Sequence, residues 1–134
     1  MWKYFIKAPS PAKLGYEFKM KHSFEKRKTE SDMVKNKYNV IPIIVEIDRN
    51  SITQLPTLDK TKFGLEREIT IGQLIYSIRQ RIKIDAGQSI FLFVDTPDNR
   101  IIPCNKDTIG EIYDKYADKD GFLYATYSAQ QTFG

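Results

Sequence analysis

The residue types that carry covalent or metal chemistry are scarce in this chain. Its 134 residues include one histidine, His22, and one cysteine, Cys104. A cysteine nucleophile needs its base within hydrogen-bond reach. The two residues stand far apart in the chain, and Cys104 follows Pro103 beside a short apolar run, the setting of a structural cysteine. A zinc site needs about four thiolate, imidazole or carboxylate ligands in a set, and no such set is spaced here. No glycine-rich phosphate loop is present. Asp118 and Asp120 form a carboxylate pair, but in the turn sequence Asp-Lys-Asp-Gly, where carboxylates are expected to be solvated. The reading is no enzyme, no metal and no cofactor, with function placed on surfaces and on the end of the chain. That end reads "DKDGFLYATYSAQQTFG": a turn, a strand from Phe122 to Tyr127, a polar spacer, then Phe133 and Gly134. Either the tail is a frayed terminus, or its carboxylate is the reactive group.

One domain is expected at this length. Hydrophobic residues make up 41% and charged residues 28%, an ordinary globular balance. A single cysteine excludes an internal disulfide framework, no apolar run reaches the length of a membrane span, and the opening "MWKYFIKAPSP" is too short an apolar run for a signal peptide. A soluble, intracellular protein is the expectation. The net charge of +4 is uneven: residues 1–28 hold eight Lys/Arg against Glu17 and Glu25. Such an arm suits a polyanion (tubulin, anionic lipid or nucleic acid) or is a solvated helix face.

The elements that would position these groups follow from periodicity. Residues 1–15, with two prolines and a glycine in "KAPSPAKLG", read as a flexible extension. "SFEKRKTESDMVKNKY" predicts a helix over 23–38, capped by Ser23, with Phe24, Val34 and Tyr38 as a narrow apolar stripe. "VIPIIVEI" (40–47) predicts a buried strand whose Pro42 must leave one side unpaired. "KFGLE" (62–66) is a weaker strand. "TIGQLIYSIRQRIK" predicts the clearest helix. Thr70 and Gln73 form a capping box, Ile71, Leu74, Ile75, Ile78 and Ile82 one stripe, and Arg81 and Lys83 complement the last turn. "SIFLFVD" (89–95) reads as a strand buried on both faces, and "RIIP" as a short return. A helix from Asp107 or Thr108, with Ile109, Ile112, Tyr113 and Tyr116 inward and Gly121 at its end, precedes the last strand. This order gives an α+β roll, the order of the ubiquitin-like β-grasp.

The segments "FEKRKTESDMVKNKY", "IPIIVE", "LDKTKF", "ITIGQLIYSIRQRI", "IFLFV" and "DKDGFLYATYSAQQTFG", in this order and spacing, resemble the autophagy ubiquitin-like modifiers, the family of GABARAP and microtubule-associated protein light chain 3. The resemblance spans about residues 16–134. It implies a ubiquitin-like β-grasp with two N-terminal helices over 16–128 and a flexible conjugation tail over 129–134. It implies that a cysteine protease trims and delipidates the protein at Gly134. An activating enzyme would use ATP to form a thioester there, and a conjugating enzyme would pass Gly134 to the amine of phosphatidylethanolamine. Phe133 and Thr132 would belong to the segment those enzymes recognise. The protein would then be cytoplasmic and, when lipidated, bound to the autophagosome membrane. A glycine end suits this, since it enters narrow clefts without a Cβ, and a two-chain lipid anchors a chain that has no span.

The resemblance also implies that receptors carrying an aromatic-x-x-aliphatic peptide add a strand beside residues 62–66. By that match the aromatic anchor meets Glu30, Val34, Pro42, Ile44, Lys62 and Phe122. The aliphatic anchor meets Phe63, Leu65, Leu74, Ser77 and Arg81. Acidic residues before the aromatic would face Arg27, Lys28, Lys60 and Lys62. The chain departs from the family in several places. Gly64 and Glu66 replace an aliphatic residue and a proline, Ser77 replaces an aliphatic residue, the loop 48–58 is longer, and the cluster Trp2, Tyr4, Phe5 and Ile6 has no counterpart. Gly64 is expected to hollow the groove between the two pockets, at a cost to binding of roughly 1–3 kcal/mol. Two other functions compete: an unconjugated peptide-binding adaptor, and a polyanion- or tubulin-binding protein using the basic arm. Nucleic acid is not expected, because few aromatics stand among those cations.

Overall fold

Strand β1 (Ile41–Ile47) organises the sheet, because it is paired on both sides. The computed structural model describes residues 15–49 and 55–129. Of the expected extension over 1–15 and tail over 129–134, residues 1–14 and 130–134 lie outside the described residues, as do loop residues 50–54. Strand β1 pairs antiparallel with β2 (Lys62–Leu65) and parallel with β5 (Leu123–Ser128). Strand β5 pairs antiparallel with β3 (Phe91–Asp95), which holds β4 (Arg100–Ile101). The order is β2-β1-β5-β3-β4, so the last strand in sequence is central, and every residue of β5 is buried. Pro42 faces Gly64 of β2, but the pairing to β5 begins only at Ile43. The missing N–H therefore falls where the ladder has not started.

Alternation divides the core into two layers. On one face Ile41, Ile43, Val45, Leu92, Val94, Leu123, Ala125 and Tyr127 pack under helix α3 (Ile71–Ile82) and helix α4 (Ile109–Tyr116). The stripe of α3 is buried at Ile71, Leu74, Ile78 and Ile82, while Ile75 is half-buried against it. Thr70 with Gln73, and Thr108 with Glu111, complete capping boxes. Backbone and side-chain hydrogen bonds from Thr108 hold the Glu111 carboxyl below its ordinary range. On the opposite face Ile44, Phe122 and Tyr124 pack against Tyr16 and Phe18. These two flank the start of helix α1 (Glu17–Lys21), whose first N–H groups find the carboxylate of Glu46 in β1 at 2.9 and 3.0 Å.

Helix α2 (Phe24–Tyr38) departs from its sequence pattern. Ser23 caps it as expected, accepting from the Lys26 N–H. Phe24 and Tyr38, however, are exposed, and the buried residue in the helix is Ser31. Polar ties replace the expected apolar stripe. Ser31 Oγ donates to the Asp120 carbonyl at 2.5 Å, and Arg27 pairs with the Asp120 carboxylate at 2.6 Å. That carboxylate also accepts from Tyr124 OH at 2.5 Å and from the Phe122 N–H at 2.9 Å. Asp120 is 0% exposed, so the expectation of a solvated turn is corrected. The charge can be buried because three donors converge on it. Gly121 does not end α4, which stops at Tyr116 as Ala117 turns extended. Its φ of +91° closes the turn beneath Ser31, and a Cβ there would collide with the serine hydroxyl.

Smaller corrections follow. Strand β5 starts at Leu123 rather than Phe122, and β3 at Phe91 rather than Ser89. Lys83 is the left-handed C-cap of α3, with the last turn held by Arg79 and Arg81. Arg79 reaches the carbonyls of Asp85, Ala86 and Gln88. Asp95, in a strand read as apolar, is buried and bonded to Arg100 at 2.8 Å and to Tyr16 OH at 2.5 Å.

Asp120→Ala leaves the Arg27 guanidinium and the Tyr124 hydroxyl without their acceptor in a buried site. It should destabilise the protein by about 3–5 kcal/mol, read from urea unfolding, and a loss below roughly 1 kcal/mol would deny the pair its structural role. A second expectation concerns alkali. Burial, then the neighbouring carboxylates, push the phenols of Tyr16 (Asp95) and Tyr124 (Asp120) above their ordinary value of 10.0. Burial pushes Tyr127 up to about 12. A raised folded-state pKa contributes stability that is complete below the unfolded value and lost as pH rises past it. Stability should therefore fall above pH 10, and in a spectrophotometric titration these three phenolates should appear only with unfolding. Their ionisation alongside ordinary tyrosines would contradict this.

Candidate functional site: a strand edge between two cavities

Among the described residues, β2 pairs with β1 alone, so its other edge is free. The period of two along β2 sends Lys62 and Gly64 to one face, and Phe63 and Leu65 to the other. The register repeats this on β1, with Pro42 opposite Gly64 and Ile44 opposite Lys62. A cavity lies on each side.

The first cavity, about 420 Å³, lies between α2 and the two strands. Glu30, Val34, Tyr38, Val40, Pro42, Lys62, Phe63, Gly64 and Phe122 line it. The sequence places six residues there, and five of them line it. Ile44 does not: it is 0% exposed and sits among Tyr16, Phe18, Phe122 and Tyr124. Lys62 and Glu30 close one wall with a 2.6 Å ion pair.

The second cavity, about 650 Å³, lies between β2 and α3. Phe63, Leu65, Leu74, Ser77 and Arg81, all five residues named from the sequence, line it together with Ile69, Thr70, Gly72, Gln73, Tyr76 and Ile78. Phe63 faces both cavities. The guanidinium carbon of Arg81 stands 5.4 Å and Lys60 Nζ 5.1 Å from its ring centre. Arg81 is also paired with Asp59 at 3.0 Å.

The cations assigned to acidic ligand residues differ in place. Lys60 and Lys62 stand at the strand, Lys62 paired with Glu30 but exposed. Arg27 is held inward by Asp120, its side chain 12% exposed, and Lys28 is paired with Asp32 on its own helix. Glu66 is exposed and lines neither cavity.

Sequence reasoning missed Tyr38 and Val40. The sequence pattern assigns Tyr38 to the apolar stripe of α2, and Val40 to the strand, which begins one residue later. Gly64 does not leave a hollow. A Cβ on Gly64 would stand 2.7 Å from Val40 Cγ2, so the valine methyl already fills that space. Gly134, Phe133 and Thr132 lie outside the described residues.

Among the described residues no cluster of His, Cys, Asp or Glu could hold a metal ion, and no helix is long and apolar enough to cross a membrane. Cys104, read from the sequence as a structural cysteine, is exposed. It lies in the turn before α4, where its N–H donates to the Asp107 carboxylate at 3.0 Å.

The mixed sheet, the long helix across one face and the paired helices on the other define a ubiquitin-like β-grasp protein with a grooved strand edge. The family model described as "Autophagy protein Atg8 ubiquitin like" matches residues 26–134. Autophagy-related protein 8 of Mycosarcoma maydis is 44% identical over 119 residues, covering 87% of this chain and 95% of that protein. Autophagy-related protein 8e of Arabidopsis thaliana is 42% identical over 121 residues, covering 90% and 94%. The crystal structure of Trypanosoma brucei ATG8 superposes with a TM-score of 0.74 at 36% identity, covering 90% of this chain and 99% of that one. The chain belongs to the Atg8 family of autophagy-related ubiquitin-like proteins.

A thiol reagent applied to the folded protein should modify Cys104 fully and leave the unfolding midpoint unchanged. Labelling that begins only under denaturant would place this cysteine inside the fold.

Proposed function

We propose that this protein is a membrane-tethered adaptor: a ubiquitin-like modifier joined through Gly134 to phosphatidylethanolamine, which then captures receptors carrying an aromatic-x-x-aliphatic peptide. The observation that carries this reading is the free edge of β2 with an apolar cavity on each side. An extended peptide can add to that edge by main-chain hydrogen bonds while alternate side chains enter the cavities. The first cavity suits a ring against Val34, Pro42 and Phe122. The second suits an aliphatic group against Leu65 and Leu74. Lys60 and Lys62 supply positive charge for acidic residues beside the ring.

Conjugation requires the Gly134 carboxyl to be activated with ATP and carried as a thioester by partner enzymes. The lipid amine then displaces the thiol to form an amide. The support is that the family match extends to residue 134. A processing and delipidating cysteine protease completes the set of proposed partners. Residence in the cytoplasm and on the autophagosome membrane belongs to the same proposal. The competing polyanion reading is weakened by the pairing of Lys19, Lys21, Arg27 and Lys28 with Asp118, Glu17, Asp120 and Asp32, half of the cations in residues 1–28.

The test is an intact-mass assay with ATP, the family's activating and conjugating enzymes and liposomes containing phosphatidylethanolamine. A mass gain of one lipid is expected for the full chain and none for Gly134→Ala. If an authentic family member conjugates in the same mixture and this chain does not, the unconjugated peptide-binding adaptor becomes the better reading.

A further inference from the structure

We propose that Val40 and Gly64 form one complementary pair that sets the size of the first cavity, and so selects which aromatic residue an acidic, extended peptide presents to this protein. The inference rests on the peptide-docking reading above. Glycine at 64 is not demanded by the backbone. The glycines with positive φ among the described residues are Gly15 and Gly121, so position 64 has a conformation open to any residue. Glycine in a strand is otherwise unfavourable. What excludes a side chain is a neighbour: a Cβ would meet Val40 Cγ2 at 2.7 Å and Val40 Cβ at 3.6 Å.

Val40 lies just before β1 and is half-buried. Its β-branched side chain is stiff at χ1, so the methyl acts as a fixed wall. The wall that a β2 side chain would supply comes instead from the link between α2 and β1. For a peptide lying along β2, the aromatic ring meets a cavity shortened by an isopropyl group. The ligand class is set by the same site: a free strand edge for main-chain pairing, an apolar cavity for the ring, and Lys60 and Lys62 nearby for acidic residues.

The test uses the full chain and two synthetic peptides, identical except for Trp or Phe at the anchor, each with acidic residues before the anchor and Leu three positions after it. Affinities are measured by fluorescence polarisation for the wild type, Val40→Ala, Gly64→Ala and the double variant. Removing methyls from a pocket changes discrimination between ligands of different size, so Val40→Ala should raise the Trp-to-Phe affinity ratio by roughly threefold or more. Gly64→Ala drives Val40 into the cavity and should weaken the Trp peptide by roughly fivefold or more, and the double variant should recover to within about twofold of Val40→Ala, the mark of coupled sites. A purely structural effect of Gly64→Ala would weaken both peptides equally and leave the ratio unmoved. Additive effects, or a constant ratio, overturn the pairing while leaving the docking reading intact. A wild type that binds neither peptide overturns the docking reading and this inference with it.

Discussion

The seating of helix α2 on the sheet depends on one buried carboxylate, that of Asp120. It accepts from the Arg27 guanidinium, the Tyr124 hydroxyl and the Phe122 N–H, and the carbonyl of the same residue accepts from Ser31. A charge with no exposure to water must be fully partnered or it destabilises the fold. Each of these donors has a fixed reach, so together they set where α2 sits on the sheet. Arg27 and Ser31 lie one turn apart on α2, and Glu30 and Val34 share that side of the helix. Fixing the first two therefore sets the position of the second two over β2, where they line the first cavity. Gly121 is the other half of the device, since its bare Cα lets the serine hydroxyl come down onto the turn.

The candidate site then needs little further construction. Strand periodicity alone divides β2 between two cavities, and Phe63 sits at the division. Two cations flank its ring, so the apolar surface between the cavities is bordered by positive charge. The edge of β2 stays free because β1 occupies its other side and, among the described residues, nothing else pairs with it. An exposed strand edge is normally a liability. Here it lies between two cavities.

The remainder of the sheet holds β1, and with it the site, in place. The parallel pairing of β1 with β5 joins residues far apart in sequence, and β5 is buried throughout. A second buried network, in which Arg100 joins Asp95 to Asp48 and Tyr16 caps Asp95, ties the residue preceding α1 to the far edge of the sheet. Both ends of the N-terminal helical layer are thus held by polar groups, and among the described residues no buried side-chain nitrogen or oxygen lacks a partner. The peptide docking proposed above would then use a surface that is already formed, which limits the ordering cost of binding.

The sequence by itself determined the elements whose signals are local. The capping boxes at Thr70 and Thr108, the stripe of α3, the β-branched run of β1 and the unpaired side of Pro42 are consequences of periodicity and backbone chemistry within a few residues. The five residues named for the second cavity came from the family resemblance, and they meet because they sit on one short strand and one strongly periodic helix. Tertiary structure decided what depends on partners distant in the chain. The inward face of α2 reads Arg-Glu-Ser-Val, which no hydrophobic pattern marks as inward, because its partner is a carboxylate some ninety positions later that sequence chemistry alone assigns to solvent. Val40 became a cavity wall, and Ile44 was withdrawn from one, only when β2 and the two N-terminal helices closed over β1. Local sequence sets which face a side chain takes, but burial and charge pairing are properties of the surroundings, and those exist only once the chain has folded.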